Sequence, residues 1–174
     1  MQIPKKLPQF EKLPALFIAS GGYEADFYLA HNGTLELHSK IKLSPREEAR
    51  EKQGFIGRKG GVKNLSSVSH HGAYIEDLKK KFQKKVHAAI HDLLAEYKLE
   101  EIYLFSPRYS AQRIIDGLDK AEQKKVRMTF FCEYTKNNPL EMLTAFWETE
   151  QEAVKPRLPL KKEQEKILQR PTIR

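Results

Sequence analysis

Asn32-Gly33, set between two runs of strand-forming residues, is the feature that most constrains this chain. A two-residue type I′ turn needs positive φ at both centres, which Asn and Gly tolerate best, so the pair predicts a hairpin. The run after it, Thr34 to Leu43 (TLELHSKIKL), alternates strictly. That pattern sets Leu35, Leu37, Ser39, Ile41 and Leu43 on one face and Glu36, His38, Lys40 and Lys42 on the other. Asp26 to Ala30 (DFYLA) is the partner strand, and Ala15 to Ala19 (ALFIA), closed by Ser20-Gly21-Gly22, is a buried strand before it. Together they predict an antiparallel three-strand meander.

Tyr74 to Tyr97 carries the clearest helical period. Tyr74, Leu78, Phe82, Val86, Ala89, Ile90, Leu93 and Tyr97 form one apolar stripe. Lys79, Lys80, Lys81, Lys84 and Lys85 read mostly as its solvated face, with Lys80 and Lys84 on a side open to RNA. A strand at Glu101 to Ser106 stops before Pro107, and a helix at Tyr109 to Leu118 turns Ala111, Ile114, Ile115 and Leu118 inward. Val126 to Tyr134 reads as a strand with Val126, Met128, Phe130 and Cys132 on one face. Asn138-Pro139 with Glu141 marks a helix start, with Leu140, Leu143, Phe146 and Trp147 as its packed side. The expected fold is α/β: a mixed sheet of about five strands covered by helices, in an order that allows a ribonuclease-H-like arrangement.

Between meander and long helix lies 44–73, a stretch with no regular period, read as a long basic loop. It holds Arg46, Arg50, Lys52, Arg58, Lys59 and Lys63 against Glu47, Glu48 and Glu51. From Val154 onward Lys155, Arg157, Lys161, Lys162, Lys166, Arg170 and Arg174 face only Glu163 and Glu165. These two segments account for the whole net charge of +8, leaving the remaining body formally neutral. Charge gathered this way favours a phosphate-rich partner, RNA or the ribosome. The expected organisation is an N-terminal arm or short helix at 1–14, anchored by Ile3, Leu7, Phe10 and Leu13; an α/β domain at 15–153; and a basic tail at 154–174. The tail, interrupted by Pro156, Pro159 and Pro171, is also open to a protein partner.

Other chemistries find little support. Ser66, Ser67 and Ser69 near His70 and His71 lack the strand-to-helix elbow that exposes a nucleophilic serine. His87 and His91 have a zinc-compatible helical spacing, without the HExxH glutamate or a third ligand, and read as surface histidines. Glu24, Asp26 and Glu36 are too scattered for two-metal phosphoryl chemistry. Gly57 to Gly61 lacks the Walker spacing. Cys132, the single cysteine, reads as a small buried thiol in an apolar strand. With no signal-peptide pattern and no apolar run near 20 residues, the expectation is a cytoplasmic protein without metal, cofactor or membrane contact.

The element order, the segment Gly57-Arg58-Lys59-Gly60-Gly61, the run Ala19 to Tyr28 (ASGGYEADFY) and Ile102 to Pro107 (IYLFSP) together resemble the middle domain of archaeo-eukaryotic class-I release factors. The style is closest to compact bacterial relatives, including those labelled host-attachment proteins. The resemblance covers residues 14 to 150. It implies that Gly60 and Gly61 correspond to the two glycines of the Gly-Gly-Gln loop that enters the peptidyl-transferase centre, with Val62 at the third position. It also implies a ribosomal RNA or tRNA partner, a role in ribosome rescue, release or hibernation, and catalysis, if any, through Gly60 and Gly61. Arg50, Arg58, Lys59, Lys63, Lys161, Lys162 and Arg170 are the expected RNA-binding residues. Two alternatives stay open: a peptidyl-tRNA hydrolase working through the same loop, and a protein-interaction or attachment domain without nucleic acid.

Overall fold

Every residue of Ala15–Ser20 (β1) is buried, because this strand has a neighbour on each side and helices or arm on each face. A computed structural model describes residues 1–44, 67–135 and 138–154, without the side chains of 67–73 and 154. The other strands are Glu24–His31 (β2), Thr34–Lys42 (β3), Glu101–Phe105 (β4) and Val126–Phe130 (β5). The helices are Ser67–Tyr97 (α1), Arg108–Asp116 (α2), the short Lys120–Gln123 (α3) and Pro139–Val154 (α4). The strands form one sheet in the order β3-β2-β1-β4-β5. β2 is antiparallel to β1 and β3, whereas β4 runs parallel to β1 and β5. This is the expected mixed sheet, a meander followed by strand-helix alternation. Asn32 (φ 44°) and Gly33 (φ 74°) form the two-residue turn between the paired residues His31 and Thr34.

The sheet has two apolar faces. Leu16, Ile18, Phe27, Ile102 and Leu104 pack against Leu78, Phe82, Val86, Ile90 and Leu93 of α1 and Ala111 and Ile114 of α2. On the other face, Phe17, Tyr28, Leu35, Tyr103 and Phe105 meet Met142, Leu143 and Phe146 of α4. Aromatic rings dominate there: Phe17 stacks on Tyr103 at 4.8 Å, and Phe105 on Phe130 at 4.3 Å. Residues 1–10 close this side as an arm, with Ile3 buried and Leu7 and Phe10 packed against the cluster. The Ile3 N–H donates to Gly33 and the Leu35 N–H to Met1. Leu13 is no anchor, being 49% exposed.

Both edge strands depart from their sequence pattern, for one reason. A register shift lets Phe27 pair with Ser39 while Tyr28 pairs with Leu37, so His38 is an extra residue in β3. Leu35 therefore packs on the α4 side, Ile41 and Leu43 on the α1 side, and Leu37 is 46% exposed. Likewise Ile102 pairs with Val126 and Tyr103 with Met128, making Arg127 extra in β5. Val126 thus lies on the α1 side, opposite Met128 and Phe130. Bulges of this kind concentrate at sheet edges, where they also discourage pairing with another chain.

Several boundaries differ from expectation. α1 starts at Ser67, inside the stretch read as loop, because helix extension adds one hydrogen bond per residue once the striped part has nucleated. β5 ends at Phe130, not Tyr134: β4 stops at Phe105 and the ladder closes with Ser106 N–H donating to the Phe130 carbonyl. Cys132 therefore lies beyond the strand, only partly buried, its thiol pKa raised by burial. α2 begins at Arg108 and ends at Asp116, with Leu118 buried just past it. Asn138 caps α4 as expected, its Oδ1 accepting the Leu140 N–H at 3.1 Å. Met142, rather than Trp147, completes the packed side of that helix.

Candidate nucleic-acid interface at the carboxyl end of the sheet

β1, β3, β4 and β5 run the same way, so their carboxyl ends share one end of the sheet. At β1 the chain leaves by a hairpin to one neighbour and reaches the other only through α1. Such switch points leave a crevice beyond the strand ends. Here the crevice is bounded by the Ser20–Glu24 turn, by Ser106–Ser110 and by the first half of α1. The turn is held by the Gly21 N–H donating to the Glu24 carbonyl at 2.8 Å and by the Ser110 hydroxyl donating to the Gly21 carbonyl at 3.1 Å. Pro107 ends the β4 run and opens α2, its carbonyl accepting the N–H groups of Ser110 and Ala111.

A cleft of about 190 Å³ lies there, lined by Gly22, Tyr23, Lys79, Phe82, Gln83, Tyr109, Ser110 and Arg113. Phe82 gives it an apolar floor, whereas Tyr109 is 64% exposed. Lys79 Nζ pairs with Glu76 at 2.7 Å, which holds that exposed carboxyl below its ordinary range. Across Ser106–Ser110, the Arg108 guanidinium lies 4.9 Å from the centre of the Phe131 ring, itself 58% exposed. The same end carries acid. Thr135 Oγ1 lies 3.1 Å from Glu24 Oε1 and 3.4 Å from Glu133 Oε1. Gly21 lies beneath them, and a β-carbon there would come within 2.9 Å of Glu133 Oε1, so the flexible glutamate side chain would have to shift to admit one.

The segment 45–66 joins this end. The Leu43 N–H donates to the Tyr23 carbonyl at 2.8 Å beside the turn, and α1 enters from the same side. Since Lys79 lines the cleft, the start of α1 at Ser67 stands roughly 18 Å further along the helix axis. The sequence-predicted residues Arg50, Arg58, Lys59, Gly60, Gly61, Lys63, Lys161, Lys162 and Arg170 lie outside the described residues. Ser67, Ser69, His70 and His71 belong to the backbone of α1. Sequence reasoning misses the cleft residues as a group, although Arg108-Tyr109 directly after the strand-ending Pro107 is a signal that points to part of it.

The remaining polar candidates have structural partners. His87 Nε2 lies 3.0 Å from the Ile114 carbonyl, and His91 Nδ1 lies 2.9 Å from Glu122 Oε1. Buried Asp26 accepts from Lys40 at 2.9 Å and from Tyr28 at 3.3 Å. Burial, reinforced by the Asp26 charge, pushes the Tyr28 phenol up to about 12. Glu36 sits 3.7 Å from His31. Among the described residues no group of three or more His, Cys, Asp or Glu side chains is placed to hold a metal ion. Nor is any helix among them long and apolar enough to cross a membrane.

No protein-family model and no curated protein matches the sequence. Among solved structures the chain is similar to the archaeal translation termination factor aRF1, at 13% identity and a TM-score of 0.42, over 80% of this chain and 39% of that one. It is similar also to a structure described only as an archaeal protein, at 12% identity and a TM-score of 0.40, over 80% of this chain and 38% of the other. The chain thus spans about two fifths of the length of these structures. Neither likeness is close enough to carry function, which has to come from the chain's own residues.

Proposed function

We propose that this chain binds RNA, with the ribosome as its physiological surface, through the basic segment 45–66 and the sheet end that it joins. One observation carries this reading. The segment holding Arg58, Lys59 and Lys63 is attached to the end of the sheet where Lys79, Arg108 and Arg113 stand beside exposed Tyr109 and Phe131. Cations supply affinity for phosphate without regard to sequence, and aromatic faces take up unpaired bases. Gly60 and Gly61 suit close approach to a crowded surface because neither carries a β-carbon. The basic tail, with Lys161, Lys162 and Arg170, adds salt-sensitive affinity in the same way. A release-factor-like role on the ribosome, in rescue, release or hibernation, fits this arrangement. Binding is favoured over peptide hydrolysis because Val62, following Gly61, has no polar atom with which to orient water or a developing oxyanion.

The test is sedimentation with ribosomes through sucrose at graded salt. Full-length protein is expected in the ribosomal fraction at low salt and progressively depleted from it as salt rises. Deleting Arg58 to Lys63 is expected to weaken that association, so that it is lost at a lower salt concentration than for the full chain. Undiminished association of the deletion variant would remove the segment from the proposal, and no association of the full chain would end it.

A further inference from the structure

We infer that the cleft between the Ser20–Glu24 turn, α1 and α2 is a subsite for one unstacked base of single-stranded RNA, with Tyr109 as its stacking platform. This rests on the RNA-binding reading and names the form of RNA taken. Three side chains with unused hydrogen-bonding or charge capacity converge on the cleft. Gln83, Arg113 and the Tyr109 hydroxyl have no hydrogen bond among the described residues, although the Arg113 charge also acts on Glu76, the partner of Lys79. The Tyr109 hydroxyl lies beside Gly22, where a β-carbon would stand 3.4 Å from it, and the residue lines the cleft while remaining 64% exposed. Beneath is the apolar edge of Phe82 and, beside it, partly buried Tyr23.

Size decides the ligand class. At about 190 Å³ the cleft is smaller than the roughly 300–1,000 Å³ that encloses a drug-sized molecule, and it suits a single planar base. Its chemistry agrees. An aromatic face stacks on any base, a carboxamide offers both donor and acceptor to a base edge, and the Arg113 guanidinium offers charge to an adjoining phosphate. Paired RNA keeps its bases inside the helix and cannot deliver one to this cleft. Arg108 laid on Phe131, across Ser106–Ser110, extends the same chemistry and gives a neighbouring nucleotide a second surface.

The experiment measures binding of the full chain to a labelled single-stranded RNA of about eight nucleotides by fluorescence anisotropy. The same sugar-phosphate chain without bases, and a duplex of equal length, serve as comparisons. Tyr109→Ala is expected to weaken single-strand binding by roughly tenfold and leave binding of the base-free chain unchanged, with Tyr109→Phe close to wild type. Arg113→Gln is expected to weaken both ligands. Equal affinity of wild type for the RNA and its base-free analogue, or an unaffected Tyr109→Ala, would overturn the subsite. If the Arg58–Lys63 deletion loses binding while Tyr109→Ala does not, the RNA-binding segment stands and the subsite falls. If Tyr109→Ala loses base-dependent binding while the deletion does not, the subsite stands and the segment falls. Failure of the wild type to bind any of the three ligands would overturn both.

Discussion

The Ser110 hydroxyl donates to the carbonyl of Gly21 at 3.1 Å, fastening the first turn of α2 to the turn that ends β1. Residues distant in sequence meet here because β1 and β4 lie side by side and finish together. The same carbonyl lies 3.3 Å from Ser20 Oγ, so removing Ser110 does not leave it without a donor. Ser110→Ala is therefore expected to cost about 1 kcal/mol, a fall in Tm of roughly 2–4 °C. Thermal unfolding followed by circular dichroism checks this; an unchanged Tm would mean that the bond does not hold the turn.

The His87 ring occupies the space into which a β-carbon on Gly117 would project. Gly117 has an ordinary right-handed backbone, so an alanine there meets steric conflict alone. Gly117→Ala is expected to destabilise by about 1–3 kcal/mol, with most of the loss recovered on a His87→Ala background. Urea denaturation of the two single variants and the double variant measures the coupling. Simple additivity would contradict the contact.

His91 and Glu122 link α1 to α3 across the surface, with side chains 70% and 14% exposed. The hydrogen bond to Glu122 and its charge raise the His91 pKa. Burial pushes Glu122 upward, but its bonds from His91 and from the Asp119 N–H outweigh this and leave it lowered. The histidine's contribution is complete below its unfolded value, about 6.5, and disappears as pH rises through the higher folded value. The glutamate's contribution is present above its unfolded value, about 4.3, and disappears as pH falls through the lower folded one. Wild type is thus expected to lose a small increment of stability between mildly acidic and mildly alkaline pH, an increment absent from His91→Gln. Parallel pH profiles of Tm for the two proteins would contradict the pairing.

The bulge at His38 separates two leucines that strict alternation would treat alike. Leu35 is 2% exposed and Leu37 46% exposed. Leu35→Ala is expected to cost about 2–5 kcal/mol and Leu37→Ser to stay within about 0.5 kcal/mol. Denaturation midpoints decide it. Comparable losses at both positions would place Leu37 in the core and remove the bulge.

Much of the fold was legible because its signals are local. Asn32-Gly33 fixes the hairpin, the stripe from Leu78 to Leu93 fixes the buried face of α1, and Asn138-Pro139 fixes the start of α4. The facing of β3 and β5 was not legible, since an extra residue at His38 or Arg127 depends on how the neighbouring strand pairs. The start of α1 was hidden because Ser67 to Ala73 lacks an apolar period. The short α3 did carry a signal: Asp119 and Glu122 stand in capping-box spacing, and Glu122 Oε2 accepts the Asp119 N–H at 3.1 Å. The basic segment announced itself by charge. The cleft did not, because Gly22, Gln83, Tyr109 and Arg113 become neighbours only when the sheet has formed.

The most direct measurement of the central claim is the salt dependence of the full chain's affinity for single-stranded RNA, compared with Arg58→Gln/Lys59→Gln. The account predicts that log K falls linearly with log salt, and that the double variant has a slope shallower by about 1.4, roughly 0.7 for each phosphate that its two neutral side chains leave uncompensated. An affinity indifferent to salt, or a double variant with the wild-type slope and affinity, would contradict it.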